Sequence, residues 1–464
     1  MFSVSLIGIV LAAGKGKRMK SKLYKVLHSV CGKSMVDHVL SGLETLKVDR
    51  KVVIVGHGAE AVKEKLGNRA EFVFQAEQLG TGHAVLQTKE LLQSEEGTTI
   101  VLCGDTPLIR TETLADLIVN HNKLQAAATI LTAVIDQPFG YGRIVRNESN
   151  EVTAIVEQKD CTSEQALIHE INSGIYCFNN KKLFSALGKI TNENAQQEYL
   201  LTDVIAILRS EGELIAGHIA GDFTEALGVN DRVGLAEAEA AMRKRINTAH
   251  MINGVTFINP DNVYIESDVV IGEDTIIYPG TFLRGNTTIG SDCVIGPDVN
   301  LTDTTVEDGV LIKYSVLTQA TIGRDSTIGP FAYLRPGSVL GKGVKIGDFV
   351  EIKNATIGDG SKVSHLSYVG DATVGLDVNI GCGAITVNYD GFNKHKTLIG
   401  DGAFVGSNVN LIAPVQIGDG AYVVAGSTIT QDVPSNDLAI ARERQSNKPG
   451  YAQVLREKLN EKKK

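Results

Sequence analysis

Apolar and polar positions follow two different rhythms along the chain. Up to about residue 228, short apolar runs alternate with amphipathic stretches; the runs fall at residues 6–11, 51–55, 71–74, 98–102, 129–135, 151–156 and 171–178. Runs of that length read as strands, and the stretch 111–121 reads as a helix following one of them. The alternation predicts an α/β, Rossmann-like domain with a largely parallel sheet. Residues 231–246, rich in Ala, Glu and Arg, predict a connecting helix.

After about residue 251 the period becomes six. Ile289-Gly290 and Ile295-Gly296, Ile322-Gly323 and Ile328-Gly329, Leu340-Gly341 and Ile346-Gly347, Val374-Gly375 and Ile380-Gly381, and Ile399-Gly400 and Val405-Gly406 each repeat at a step of 6. The intervals 328 to 340 and 399 to 417 are multiples of six, while 295 to 322 and 380 to 399 slip out of phase. A sustained hexapeptide period predicts a parallel β-helix, with the aliphatic residue pointing into the prism. The adjoining Gly is expected to supply turn conformations that side chains resist, and the slips are expected to be inserted residues that loop out. The organisation expected is a domain over 1–228, a linker helix over 229–250, and a β-helix with a tail over 251–464. Residues 456–464 read as a solvated, frayed tail.

A formal net charge of −9 argues against a broad nucleic-acid surface. The six cysteines form no C-x-x-C pair, so a reducing compartment is expected. The apolar run near the start precedes its positive charges (Lys15, Lys17, Arg18, Lys20), the wrong order for a signal peptide. No run approaches membrane-spanning length. A cytoplasmic protein without membrane partners is expected.

The first strand runs into Ala12-Ala13-Gly14-Lys15-Gly16-Lys17-Arg18-Met19. Small residues let a backbone approach phosphates closely, and Arg18 and Lys25 offer charge-assisted contacts. The segment is neither G-x-x-x-x-G-K-[ST] nor G-x-G-x-x-G, and a tight turn carrying solvated Lys is the alternative. Strand 98–102 ends at Cys103-Gly104-Asp105-Thr106, where a carboxylate beyond a strand's carboxyl end suits Mg²⁺ or simply caps a turn.

These two segments, with Gln75-Ala76-Glu77-Gln78-Leu79-Gly80-Thr81-Gly82, Gly140-Tyr141-Gly142-Arg143, Ile155-Val156-Glu157, Glu170-Ile171-Asn172 and Gly228-Val229-Asn230-Asp231, resemble nucleotide-diphospho-sugar pyrophosphorylases. With the hexapeptide half attached, nearly the whole chain resembles the bifunctional bacterial N-acetylglucosamine-1-phosphate uridylyltransferase/glucosamine-1-phosphate acetyltransferase. The resemblance implies a left-handed β-helix. It also implies UDP-N-acetylglucosamine synthesis from UTP, acetyl-CoA and sugar phosphates, supplying peptidoglycan and lipopolysaccharide precursors, and a homotrimer. By that resemblance Leu11, Ala12, Ala13 and Gly14 line the nucleotide pocket with Cys103 and Gly104. Gln75, Gly80 and Thr81 read the base, and Arg18 and Lys25 hold phosphates. Gly142, Glu157 and Asn172 contact the sugar, and Asp105 and Asn230 ligate Mg²⁺. Lys17 departs from the family pattern, which has Thr there. The implied reaction is in-line attack of a sugar 1-phosphate oxygen on the α-phosphorus of UTP. That oxygen is already ionised, so positioning and charge neutralisation suffice.

In the β-helix, acetyl transfer needs a base for the sugar amine, and His365 is the candidate. The resemblance implies that Arg335, Lys353, Tyr368 and Asn379 hold glucosamine 1-phosphate. It places Cys382, Asn388, Tyr389, Ser407, Ala425 and Arg442 at acetyl-CoA. Glu351 is a candidate to orient His365, although the spacing does not show that they meet. Cys382 stands where the pattern has Ala, and reads either as packing or as a covalent acyl carrier. The competing readings are a pyrophosphorylase whose β-helix only assembles or regulates it, and a non-catalytic scaffold.

Overall fold

The computed structural model describes residues 5–462. Internal packing divides the chain into two compact units, one ending at Ile246 and the other beginning at Asn247.

The first unit is a nine-stranded mixed sheet. Its strands are β1 (Ser5–Ala12), β2 (Arg50–Val55), β3 (Glu71–Phe74), β4 (Gly97–Cys103), β5 (Ala128–Val134), β6 (Arg143–Arg146), β7 (Val152–Val156), β8 (Glu170–Asn179) and β9 (Ile215–Ile219). The order is β9-β5-β8-β4-β1-β2-β3, with β6 pairing both β8 and β7. The block β4-β1-β2-β3 is parallel, as the alternating pattern predicts. Strand β8 runs antiparallel to both its neighbours, β4 and β5. Strands β6 and β9 lie outside the expected set; β6 is four residues beside a Gly-rich turn, and β9 carries polar His218 in a five-residue run. Ile7, Ile9, Val52 and Ile54 are fully buried on one face of the sheet, and Val10, Val53, Val55 and Leu102 on the other. Helices α1 (Met35–Thr45), α2 (Ala59–Leu66) and α3 (Thr111–Leu124) lay their apolar stripes on the second face. Helix α4 (Arg232–Ile252) runs through the stretch expected to be a connecting helix.

The second unit is three sheets of parallel strands, of 11, 10 and 9 strands, in which every strand pairs to the one three further along the chain until the last pairing, Tyr422–Val423 with Leu438–Ala439, which skips a single strand. That is a three-sided β-helix. Its interior is a stack of single aliphatic residues, Ile328, Leu334, Leu340, Ile346, Ile352, Ile357, Val363 and Val369 among them, all at most 2% exposed. Each such side chain contributes about 1.5–3 kcal/mol by leaving water.

Two sequence expectations are corrected here. Most of the slips are shortened sides rather than insertions: Leu301 to Val306, Leu317 to Ile322 and Ile352 to Ile357 each take five residues instead of six. The step from Thr386 to Ile399 is the insertion, and it carries the loop beginning at Asn388. The glycine after the aliphatic residue takes a left-handed φ at Gly296 (+105°) and Gly329 (+100°), as expected, but not at Gly290, Gly323, Gly341, Gly347, Gly375, Gly381, Gly400 or Gly406. Left-handed corners are filled by residues such as Asp292, Asp325, Asp377 and Asn408. Gly347 is needed because a Cβ there would sit 1.9 Å from the Ser364 carbonyl oxygen of the next coil. Stacking distance sets that glycine, since coils lie about 4.8 Å apart.

The tail departs from expectation as well. Tyr451–Glu461 is a helix with every residue exposed, so it is solvated but ordered up to that point. Lys463 and Lys464 lie outside the described residues, as do Met1 to Val4 of the apolar start.

Candidate functional sites

In the first unit, strand β1 delivers Leu11, Ala13 and Gly14 to one wall of a cleft of about 310 Å³. Cys103 and Asp105, at the carboxyl end of β4, form the next wall, with Lys25, Gln75, Gly80 and Thr81 around them. A Cβ at Gly14 would meet nothing within 4 Å, so the chain turns there with its backbone open to the cleft. Gly80 is different. Its φ is +116°, and a Cβ would lie 2.4 Å from the Tyr199 carbonyl oxygen. Gln75 is 2% exposed, and its side-chain amide donates to the Gly80 carbonyl at 3.3 Å.

The charged groups converge. Lys25 Nζ is ion-paired to Asp105 Oδ2 and donates to Asn230 Oδ1 at 2.8 Å. Arg18 Nη2 donates to the same amide oxygen at 2.9 Å. Asn230 is held near Asp105 because the Val229 amide donates to the Asp105 carbonyl at 2.9 Å. Burial pushes the Cys103 thiol up to about 12, with the Asp105 charge adding to the rise and Lys25 opposing it. That thiol is a packed wall rather than a nucleophile.

Gly142, Glu157 and Asn172 form a neighbouring group off that cleft's lining. A Cβ at Gly142 would lie 3.6 Å from both Asn172 Cβ and Glu157 Oε1. Arg143, 2% exposed, donates to the Tyr141 carbonyl and to Gln158 Oε1, tying the loop that carries Gly142 to the one that carries Glu157. Burial, then the Asp160 and Asp203 charges, raise the Glu157 carboxyl above its ordinary range. Ala12 and Gly104 do not line the cleft; Gly104 backs it, its amide donating to the Leu11 carbonyl at 2.9 Å. Glu198 does line it and was missed. It sits in an irregular segment that pairs Tyr199 N with the Leu79 carbonyl, a contact that no local pattern announces.

In the β-helix, His365, Cys382, Ser407 and Ala425 occupy equivalent places in successive coils. Each lies two residues beyond a paired interior residue, in the register Val363, Ile380, Val405, Val423. Arg442 lies at the end of this column, one residue past the register partner of Ala425, its Cδ 3.6 Å from where a Cβ of Gly426 would be. His365 Nδ1 is 2.5 Å from Asp348 Oδ1. Glu351, the residue considered at the sequence level as its orienting group, instead accepts from Arg335 Nη1 at 2.9 Å. The reason is register: Asp348 faces His365 across adjacent coils, whereas Glu351 faces Tyr368.

A second column occupies the next corner. Asp371 accepts from Asn354 below at 2.6 Å and from Asn388 above at 2.5 Å, and Lys353 Nζ lies 3.5 Å from it. Asn388 Nδ2 also reaches the Tyr368 hydroxyl at 3.4 Å. The inserted loop that follows is built on Asp390, which accepts from the Phe392 and Asn393 amides and from His395. Those donors hold its carboxyl down at about 2. The loop brings Lys394, which sequence reasoning missed, against Lys353. Arg335 adds a third cation near Lys394, so with Glu351 and Asp371 paired to Arg335 and Lys353 this corner carries three cations against two carboxylates. Tyr389 lies on the same loop, with its hydroxyl donating to the Gly391 carbonyl. Asn379 stands apart, on the first face between Lys362 and Phe404, across the prism from this corner.

Among the described residues no group of three or more His, Cys, Asp or Glu could hold a metal. Asp105 and Asn230 form a two-oxygen set, which fits Mg²⁺ because that ion takes one or two protein ligands and fills its shell with water and substrate phosphates. No helix among the described residues is long and apolar enough to cross a membrane.

Residues 7–224 match the nucleotidyl transferase family, residues 259–357 the GMPPB C-terminal domain, and residues 396–431 the bacterial transferase hexapeptide (six repeats). The chain is 60% identical over 447 residues to the bifunctional protein GlmU of Brevibacillus brevis, covering 96% of this chain and 97% of that protein. The chain belongs to the bifunctional GlmU family. Two more GlmU proteins, from a Geobacillus species and from Exiguobacterium sibiricum, are 56% and 58% identical, over 98% and 96% of this chain and 100% and 99% of theirs. As in the GlmU family, nucleotidyltransferase and hexapeptide acetyltransferase domains share one chain. The protein is a bifunctional enzyme of UDP-N-acetylglucosamine synthesis, its two transfers serving the cell-wall precursor supply.

Proposed function

We propose that the two units carry the two transfers on separate residue sets, with UTP, Mg²⁺ and N-acetylglucosamine 1-phosphate in the first and acetyl-CoA and glucosamine 1-phosphate in the second. The observation that supports this most is the convergence of Lys25, Arg18, Asp105 and Asn230 beside the cleft. Leu11, Ala13 and Gly14 bound the nucleotide, while Gln75, Gly80 and Thr81 present amide and backbone groups to its base. Lys25 and Arg18 neutralise phosphate charge, and Gly142, Glu157 and Asn172 take the sugar. Asp105 and Asn230 hold Mg²⁺, which supplies charge stabilisation to the phosphates when bound.

In the β-helix, Asp348 engages His365 Nδ1 and leaves Nε2 as the acceptor of the sugar amine's proton. The amine nitrogen attacks the thioester carbonyl, the carbon–sulfur bond breaks, and the sulfur leaves as a thiolate that takes the proton back from His365 Nε2. Arg335, Lys353 and Lys394 receive the sugar phosphate. The column Cys382, Ser407, Ala425 and Arg442 follows acetyl-CoA, with Asn388 and Tyr389 beside it.

The trimer belongs to this reading. Asn379 and the Arg335–Lys353 corner lie on opposite sides of one prism, so a sugar phosphate touching both needs a second copy beside the first. A cytoplasmic location, where these substrates are found, goes with it. Following pyrophosphate and CoA release separately, on each substrate set, tests the assignment: loss of either activity from the purified chain would remove the corresponding half.

A further inference from the structure

The metal ligands proposed above already have a cation on them. Lys25 Nζ is ion-paired to Asp105 and donates to Asn230 Oδ1 at 2.8 Å, and Arg18 adds a second donor to that oxygen at 2.9 Å. The Asn230 amide nitrogen is turned away, toward the Gly228 carbonyl at 3.4 Å, so the oxygen a hard cation would take is the one occupied. The pair is partly sheltered, the Lys25 and Asp105 side chains being 14% and 20% exposed. An ammonium and a divalent ion cannot share the same two oxygens, because like charges at contact repel and Mg²⁺ demands near-ideal ligand geometry.

The Lys25 stem is fixed. A Cβ at Gly16, whose φ is +58°, would sit 2.5 Å from Lys25 Cβ, so the stem packs against the first loop and only the head can swing. We propose that Lys25 is an internal counter-ion that keeps the metal ligands closed until nucleotide phosphates draw its ammonium away. Free metal then competes with Lys25, whereas metal arriving with phosphates does not. By linkage, nucleotide and metal each raise the other's affinity. This rests on reading Asp105 and Asn230 as the metal ligands.

The test uses Mn²⁺ as the probe, with bound ion counted by electron paramagnetic resonance on the full-length protein. Lys25→Met keeps the stem and removes the charge, and Lys25→Gln serves as a second variant should the first fold poorly. Without nucleotide, Lys25→Met is expected to bind Mn²⁺ at least tenfold tighter than the wild type, and Lys25→Met/Asp105→Asn is expected to lose that gain. With UTP present the advantage of Lys25→Met is expected to vanish. Lys25 variants that bind free Mn²⁺ no tighter than the wild type, while Asp105→Asn still weakens Mn²⁺ in the UTP complex, would overturn the counter-ion. An Asp105→Asn protein whose UTP complex holds Mn²⁺ unchanged would overturn the ligand assignment itself, and the counter-ion with it.

Discussion

His365 and Asp348 face each other in successive coils, seventeen residues apart in sequence and 2.5 Å apart between Nδ1 and Oδ1. The carboxylate fixes which ring nitrogen is engaged, and the hydrogen bond holds the Asp348 carboxyl below its ordinary range. Asp348→Asn should therefore lower kcat for acetyl transfer by roughly tenfold or more, because the productive tautomer is no longer imposed. Glu351→Gln should leave kcat near normal and raise KM for the sugar phosphate, since Glu351 steadies Arg335 instead. Steady-state acetyl-transfer kinetics on the two variants check this; the reverse ranking would restore Glu351.

Removal of the ring itself should cost more. His365→Ala is expected to reduce CoA release by about 10²–10⁴-fold. Pyrophosphate release should stay at the wild-type level. Residual acetylation should rise with pH as more of the sugar amine is already deprotonated. His365 is an exposed side chain, 58% accessible, so its loss should leave the melting temperature unchanged. A folded variant with normal CoA release would exclude it as the base.

Chelation separates the activities by another route. EDTA should abolish uridylyl transfer and leave acetyl transfer largely intact, because the proposed oxygen ligands lie only in the first unit. Parallel loss of both, measured in one titration, contradicts that assignment.

Glu157 links the sugar group to pH. Burial raises its folded pKa, so ionising it costs the folded state. The penalty is absent below the unfolded value and grows as pH rises from there through the folded value. Glu157→Gln should thus melt with the wild type at acid pH and above it at neutral pH, while binding the sugar phosphate more weakly. Thermal melts at several pH values give the comparison.

Two glycines in the same coil should respond differently to alanine. Gly343→Ala meets open space and bears only the cost of a left-handed φ, about 1–2 kcal/mol. Gly347→Ala drives a methyl into the Ser364 carbonyl and must push adjacent coils apart. It should lower the melting temperature of the β-helix by the larger amount.

Periodicity made the β-helix legible, because one interior residue in six is read directly from the chain. It could not report why Gly347 is glycine, since the atom it avoids belongs to the next coil. Asp348 was overlooked for the same reason: its partner is one coil away, and no motif spans that distance. In the first unit the apolar runs located β1, β2 and β4, whose interior faces are continuous. Strand β6 is short, with only Ile144 and Val145 between Arg143 and Arg146, so its pattern is weak. The cleft residues Gln75, Lys25 and Asp105 were legible through their motifs, whereas Glu198 depends on a backbone pairing with Leu79 that only folding creates.

The column from His365 through Cys382, Ser407 and Ala425 to Arg442 also works as a ruler. Each coil adds about 4.8 Å, so the four steps from His365 to the level of Arg442 span roughly 19 Å along the prism. A long, thin ligand laid along that edge has its reactive end and its far end matched to a whole number of rungs. Excising one complete coil between them would keep the interior stack in phase and shorten the gauge by a single rung. The protein could then remain folded yet measure its ligand wrongly.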